Sequence, residues 1–297
     1  PVSGTHGGAA PGRGPLGARE LVEAALAEDL GAGDRTTEWS VPAGARARAR
    51  VVAREAGVVA GAGPAGLAFR LLDDAAEVSW VAADGDGVAA GADVARVEGA
   101  LAALLSAERT ALNFLGRLSG VATLTARFVE AVEGTRCRIT DTRKTTPGWR
   151  RLEKAATAAG GAVNHRMGLD DMVLLKENHL RAAGGVTAAL EAVRPRAREA
   201  GLAVEVEVTG PGELDDALAA SPERILLDNM DPGELRRAVR RTRELDPGDR
   251  PLLEASGGVT LETVREVAAT GVDLVSVGAL THSAPALDLS MLVVEEA

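Results

Sequence analysis

The sequence predicts an α/β protein in two parts, an α+β region up to about residue 132 followed by a parallel α/β barrel. Three observations predict this. From residue 136 onward, short apolar runs alternate with helical stretches: RIT (138–140), MVLLK (172–176), AVEVEV (203–208), RILLDN (224–229), LLEAS (252–256) and VDLVSVG (272–278). Strands that alternate with helices build parallel sheets. The runs end on unlike polar or glycine residues spaced about one βα unit apart: Lys144 just past the first, then Lys176, Glu205 or Glu207, Asp228, Ser256 and Gly278. Such groups converge on one mouth at the C-terminal ends of barrel strands, which favours a barrel over the alternative, a doubly wound open sheet. Before residue 132 the rhythm differs, and ARARARVVARE (45–55) alternates with period two as a half-exposed strand does.

Each element follows in order. Residues 1–17, PVSGTHGGAAPGRGPLG, are rich in Gly and Pro and lack the basic-then-apolar pattern of a signal peptide; a disordered tail is expected. Residues 18–30 place Leu21, Val22, Ala25 and Leu26 at helical spacing, and GAGDRTT ends that helix. The 45–55 strand comes next, then short strands and Gly turns to about Gly99. Residues 100–132 are apolar at helical spacing and are expected as two helices broken near Ser119-Gly120. In the second part, helices are expected over 185–200, 211–220, 232–244 and 260–270. The core must be built from Ala, Val and Leu, because the chain has no Tyr, three Trp and three Phe. A net charge of −10 argues against a nucleic-acid or anionic-membrane surface. No run approaches the length of a membrane span. One cysteine, Cys137, excludes an internal disulfide framework and fits a reducing, cytoplasmic compartment.

Positive charge is concentrated in one place. The chain's three lysines, Lys144, Lys154 and Lys176, all lie within 141–179, together with His165 and His179. Compact ammonium groups among forked guanidinium groups, in an acidic protein, predict a site for a small, multiply charged anion. Arg143-Lys144 with Thr145-Thr146-Pro147-Gly148 follows a strand directly and suits carboxylate or phosphate; the simpler reading is a solvated basic loop. Arg150, Arg151 and Lys154 read as an exposed helix face. Asn164-His165-Arg166, after Gly160-Gly161, puts an imidazole beside a guanidinium. Lys176 ends an apolar strand, so its ammonium needs a ligand, Glu177 or a carboxylate from another strand. His179 reads as a helix-start or loop residue.

Glu205 and Glu207 share a strand face, and Asp228 follows one unit later. They could hold Mg²⁺ or sugar hydroxyls, or form internal salt bridges that a ligand replaces. Ser256-Gly257-Gly258, before a helix expected from Thr260, and Gly278-Ala279 offer backbone N–H groups for a phosphate, or pack tightly because they are small. Cys137, between Arg136 and Arg138, is read as structural, and no Cys/His spacing suggests zinc. A competing motif is GAGPAG (61–66), which satisfies G-x-G-x-x-G and has Asp84 where a ribose-binding acid should lie. No second βαβ repeat follows it, so the dinucleotide reading is set aside.

From about Leu21 onward the chain resembles the quinolinate phosphoribosyltransferases, also called nicotinate-nucleotide pyrophosphorylases (carboxylating). The resemblance rests on ALAEDLGAGDRTT, ERTALNFLGRLSGVATLT, DTRKTTPGWR, GGAVNHRMGLDDMVLLKENH, VEVEV, LLDNM, LEASGGV and GVDLVSVGALTHS. It implies an N-terminal α/β sandwich domain (18–118, joined by the C-terminal tail 283–297) and an incomplete parallel α/β barrel (119–282) of the type II phosphoribosyltransferase kind. It implies a homodimer with shared active sites, Mg²⁺ as cofactor, and quinolinate and 5-phosphoribosyl 1-diphosphate as substrates. By motif match, Arg143, His165, Arg166 and Lys176 should grip the quinolinate carboxylates, with Arg109 reaching in from the other subunit. Lys144 should meet the diphosphate. Glu205 and Asp228 should hold the ribose hydroxyls and the metal, and Ser256, Gly257, Gly278 and His282 the 5′-phosphate. A paralogue of the same fold with a different acceptor is the alternative. Two departures from the family pattern, Glu177 for Asp and Ala155 for Tyr, touch none of these positions.

Overall fold

The computed structural model describes residues 17–296; apart from Gly17, the expected N-terminal tail lies outside them. The described chain opens with α1 (Ala18–Leu30) and α2 (Arg35–Ser40), the latter capped by the Asp34 side chain, which accepts from Thr37 N–H. Then come β1 (Arg46–Ala53), β2 (Gly57–Val58), α3 (Ala62–Leu72), β3 (Glu77–Trp80), β4 (Gly87–Val88) and β5 (Asp93–Ala100). In β1 Ala47, Ala49, Val51 and Ala53 face the core and Arg46 and Arg48 face out, as period two requires. Arg48 pairs across the ladder with Glu98 at 2.8 Å, and Arg50 with Asp93.

α4 (Leu101–Ala131) is one unbroken helix, which corrects the expected break at Ser119-Gly120. Neither residue is there to end the helix. Ser119 Oγ accepts from Ala60 N–H at 3.0 Å, and Gly120 leaves room for the main chain of Pro285 and Ala286. Helix geometry survives an interior glycine when packing on both sides holds it. Leu104, Ala107 and Ala111 of α4 pack into the first core, and Phe128 into the second, so the helix belongs to both parts of the molecule.

The second part runs β6 (Arg138–Thr140), α5 (Arg150–Ala159), β7 (Val173–Leu175), α6 (Glu177–Ala183), α7 (Val186–Ala200), β8 (Val204–Val208), α8 (Pro211–Ala220), β9 (Arg224–Asp228), α9 (Pro232–Arg243), β10 (Leu252–Ser256), α10 (Val264–Ala268), β11 (Leu274–Ser276) and α11 (Ala279–His282). All six strands are parallel, in the order β6-β11-β10-β9-β8-β7. From β7 to β11 each strand pairs with the next in sequence, and β11 then returns to β6. A doubly wound sheet would reverse direction at a switch point; this one runs in a single sense from β7 round to β6. Between β6 and β7 the ladder is replaced by a single bridge, Thr140 to Val163. The result is an incomplete barrel.

The last strand, β12 (Leu289–Glu296), returns to the first part. Its sheet has the order β12-β1-β5-β3 and is antiparallel throughout. The dinucleotide alternative ends here as well. Asp84 accepts from Ala62 N–H at 3.0 Å and so caps α3, while β2 pairs antiparallel with β4. Gly61, at φ +94, sits where a Cβ would meet Leu118. Cys137 is buried, and burial, then Asp273, pushes its thiol up to about 12, as befits a structural cysteine. Among the described residues no helix is long and apolar enough to cross a membrane.

Candidate active site

The C-terminal ends of the barrel strands surround a cavity of about 590 Å³ lined by Arg143, Lys144, His165, Arg166, Lys176, Glu207, Asp228, Ser256 and Gly257, among others. Eight sequence-predicted site residues, all of those named except Glu207, thus come together from the ends of β6, β7, β9 and β10 and from the loop in the barrel opening. Gly278 and His282 adjoin them: a Cβ on Gly278 would lie 3.0 Å from Lys144 Cδ and 3.3 Å from His282 Nε2. Thr281 Oγ donates to Lys144 O at 2.7 Å, which ties the Lys144 turn to α11. α10 starts only at Val264, after a turn, so the glycine loop is not the first turn of a helix, as had been expected from Thr260. Gly257 has φ +103, and a Cβ there would strike Asn229 Oδ1 at 2.2 Å.

Glu205 and Glu207 both point inward from β8, and depth separates them. Glu207 lines the cavity and forms an ion pair with Lys176, one of the internal bridges the sequence suggested. Glu205, expected at the ribose, is fully buried one layer below. There His165 Nε2 lies 3.1 Å from Glu205 and 3.5 Å from Glu254. His165 Nδ1 accepts from Arg166 N–H at 2.7 Å. His179 caps its own helix, with Nδ1 accepting from Lys176 N–H at 3.0 Å. Arg109 is exposed on α4 and does not line this chain's cavity.

Sequence reasoning missed Glu254, although an acid inside the apolar run LLEAS is itself a signal. Arg224 NH1 reaches it at 3.1 Å. Burial, and then the neighbouring Glu205, push the Glu254 carboxyl up to about 7 from an ordinary 4.5. The folded chain therefore holds this proton more tightly than the unfolded chain. The stability linked to it is fully present below pH 4.5 and is lost as pH rises through about 7. Glu254→Gln should gain stability relative to wild type between pH 5 and 8, read by denaturant unfolding at each pH. A difference constant across that range would show that Glu254 does not titrate there.

Lys154 is the second omission. It is not on an exposed face: it is fully buried, with its ammonium on Asp141. Its neighbour Glu153, also buried, accepts from Thr146 N–H at 2.9 Å and Thr146 Oγ at 2.8 Å and pairs with Arg117 of α4 at 2.9 Å.

The electrostatics favour an anion. Burial, then the nearby Arg143, pulls Arg166 down from its ordinary value, and the buried Arg143 Nε has no hydrogen-bond partner. Two guanidinium groups held together in this way need negative charge between them.

Two family models match: quinolinate phosphoribosyl transferase, N-terminal domain, over residues 34–119, and its C-terminal domain over residues 121–292. The chain belongs to the quinolinate phosphoribosyltransferase family. A probable nicotinate-nucleotide pyrophosphorylase [carboxylating] of Synechocystis sp. is 45% identical over 269 residues, covering 91% of this chain and 90% of the relative. The Mycobacterium leprae nicotinate-nucleotide pyrophosphorylase [carboxylating] is 45% identical over 280 residues, covering 92% and 96%. Among solved structures, the nicotinate-nucleotide pyrophosphorylase from Francisella tularensis superposes with a TM-score of 0.87 at 36% identity, covering 93% of this chain and 96% of that one. The phosphoribosyltransferase fold thus accounts for both the incomplete barrel and the sandwich that β12 completes.

Proposed function

We propose that the chain transfers the phosphoribosyl group of 5-phosphoribosyl 1-diphosphate to quinolinate, giving nicotinate mononucleotide, diphosphate and CO₂, a step of NAD biosynthesis. The observation that carries the reading is the Arg143–Arg166 pair with its unpartnered Nε, joined on one cavity wall by His165 and Lys176. Two adjacent carboxylates on a flat ring fit this grip, with Lys176 exchanging Glu207 for substrate. Lys144 faces the diphosphate, and the Ser256–Gly257 loop with Gly278 and His282 receives the 5′-phosphate.

The wall fits a hard cation. Asp228, next to Ser256 in register, accepts only from the Asn229 side chain at 2.6 Å among the described residues, which leaves a carboxylate oxygen free. Mg²⁺ is usually held by one or two carboxylates together with substrate phosphates. Asp228, with Glu207 across the wall, would hold Mg²⁺, which neutralises charge on the diphosphate. Glu205 supports His165 from below. The chemistry is then mainly positioning and charge stabilisation. The ring nitrogen attacks C1 of the ribose as the C1–O bond to diphosphate breaks, and Lys144 stabilises the departing charge. The cationic ring accepts the electron pair of the C–CO₂ bond, CO₂ leaves, and the carbanion at C2 takes a proton from water. A second copy of the chain, as a homodimer, contributes the exposed Arg109, and the work takes place in a reducing, cytoplasmic compartment.

Incubation with quinolinate, the donor and Mg²⁺ should release CO₂ and mononucleotide in equal amounts. Turnover with nicotinate but not with quinolinate would assign the site to a different acceptor.

A further inference from the structure

We infer that the buried Asp141–Lys154 pair is a positioning device for the acceptor: it clasps the main chain of His165 at both ends and fixes the His165–Arg166 loop against the Arg143–Lys144 turn. The inference rests on the quinolinate reading above. Asp141 Oδ1 accepts from His165 N–H at 2.9 Å, and Lys154 Nζ donates to His165 O at 2.9 Å while paired with the same carboxylate. The other carboxylate oxygen accepts from Asn164 Nδ2 at 2.6 Å and from Thr157 Oγ at 2.9 Å. That fills the acceptor capacity of a carboxylate.

Stability alone does not account for the pair. Both residues are fully buried, and burying two ions costs enough that an apolar pair of similar volume commonly does as well. Location does account for it. The loop lies in the barrel opening, where only the Thr140–Val163 bridge joins β6 to the chain leading into β7. Elsewhere in the barrel, ladder hydrogen bonds fix the strand ends. Here they are missing, and the ion pair supplies the constraint. Because Asp141 directly follows β6 and lies two residues before Arg143, one carboxylate anchors both turns that flank the acceptor. The pair therefore sets the spacing between Arg143 on one side and His165 and Arg166 on the other, the spacing that two adjacent carboxylates must match.

Lys154→Met should raise the KM for quinolinate by about 10- to 100-fold, the usual cost of a misplaced binding group, and leave the KM for the donor within about twofold. It should also narrow the preference for quinolinate over nicotinate as a competing ligand. Asn164→Ala, which loosens the same loop at an exposed position, should act in the same direction and serves if Lys154→Met does not fold. Thr242→Val, which removes a buried hydrogen bond within α9 away from this loop, should lower the melting temperature and leave both KM values alone. Donor and acceptor KM moving together, or activity falling only with the folded fraction, would overturn the inference. Wild-type protein with no quinolinate turnover would overturn the functional reading first, and this inference with it.

Discussion

Lys176→Ala is expected to lower turnover by about 10²–10³-fold, the range for removing one preorganised group that stabilises charge in the transition state. Fold stability should change little. Lys176 sits at the N-cap of α6 with its side chain half-exposed, and it pairs with Glu207 on the cavity wall. Exposed pairs of this kind contribute at most about 1 kcal/mol. The loss therefore falls on chemistry and acceptor binding, because the variant leaves the Glu207 carboxylate facing the position of another carboxylate. CO₂ release under saturating donor, together with an unfolding curve, separates the two effects. Near-normal CO₂ release at unchanged stability would take Lys176 out of the site.

Gly120→Ala should be the most damaging single-methyl change in the molecule. The tail that leads to β12 crosses α4 at Gly116 and Gly120, one turn apart on the same face. Leu287 N–H donates to Gly116 O at 2.9 Å, and Arg117 NH1 donates to Ala284 O at 2.7 Å. A Cβ on Gly120 would lie 1.9 Å from Pro285 O and 2.9 Å from Ala286 Cα. These are main-chain atoms and cannot swing aside. Overpacking that moves backbone costs about 3 kcal/mol or more, and the tail would lift from the helix. Denaturant unfolding should show the loss, and protease should cut near 284–288 first. A variant as stable as wild type would mean that α4 and the tail can separate without penalty.

What was legible in the sequence follows from how each element is stabilised. Strands buried on both faces must be apolar throughout, so all six barrel strands stood out, each bounded by its polar end residue. The arginines and lysines of the cavity were legible because few structural roles call for such a cluster in an acidic chain. The break assigned to Ser119-Gly120 failed because a glycine's local preference says nothing of the chain segment packed against it. Lys154 was misread because its helix, RRLEKAATAA, carries charge on every face, and only its buried partner Asp141 distinguishes it from its neighbours. The depth difference between Glu205 and Glu207 was illegible for another reason. Period two fixes the direction in which a side chain points, and the position of the cavity floor depends on the other strands.

The pairing of β1 with β12 has a consequence for biogenesis. β1 is the second strand of a four-stranded sheet and needs a neighbour on each side. One of them, β5, is made shortly afterwards. The other is not synthesised until the entire barrel has been translated. During that interval the outer edge of β1, with Val51 and Val52 on it, presents unpaired amide and carbonyl groups to whatever is nearby. Domains generally fold as units in the order they are made; this one cannot. A ribosome that stalls within the barrel would leave a nascent chain with a three-stranded β1–β5–β3 sheet and β1 at an open edge, a substrate for chaperones or for pairing with another stalled copy.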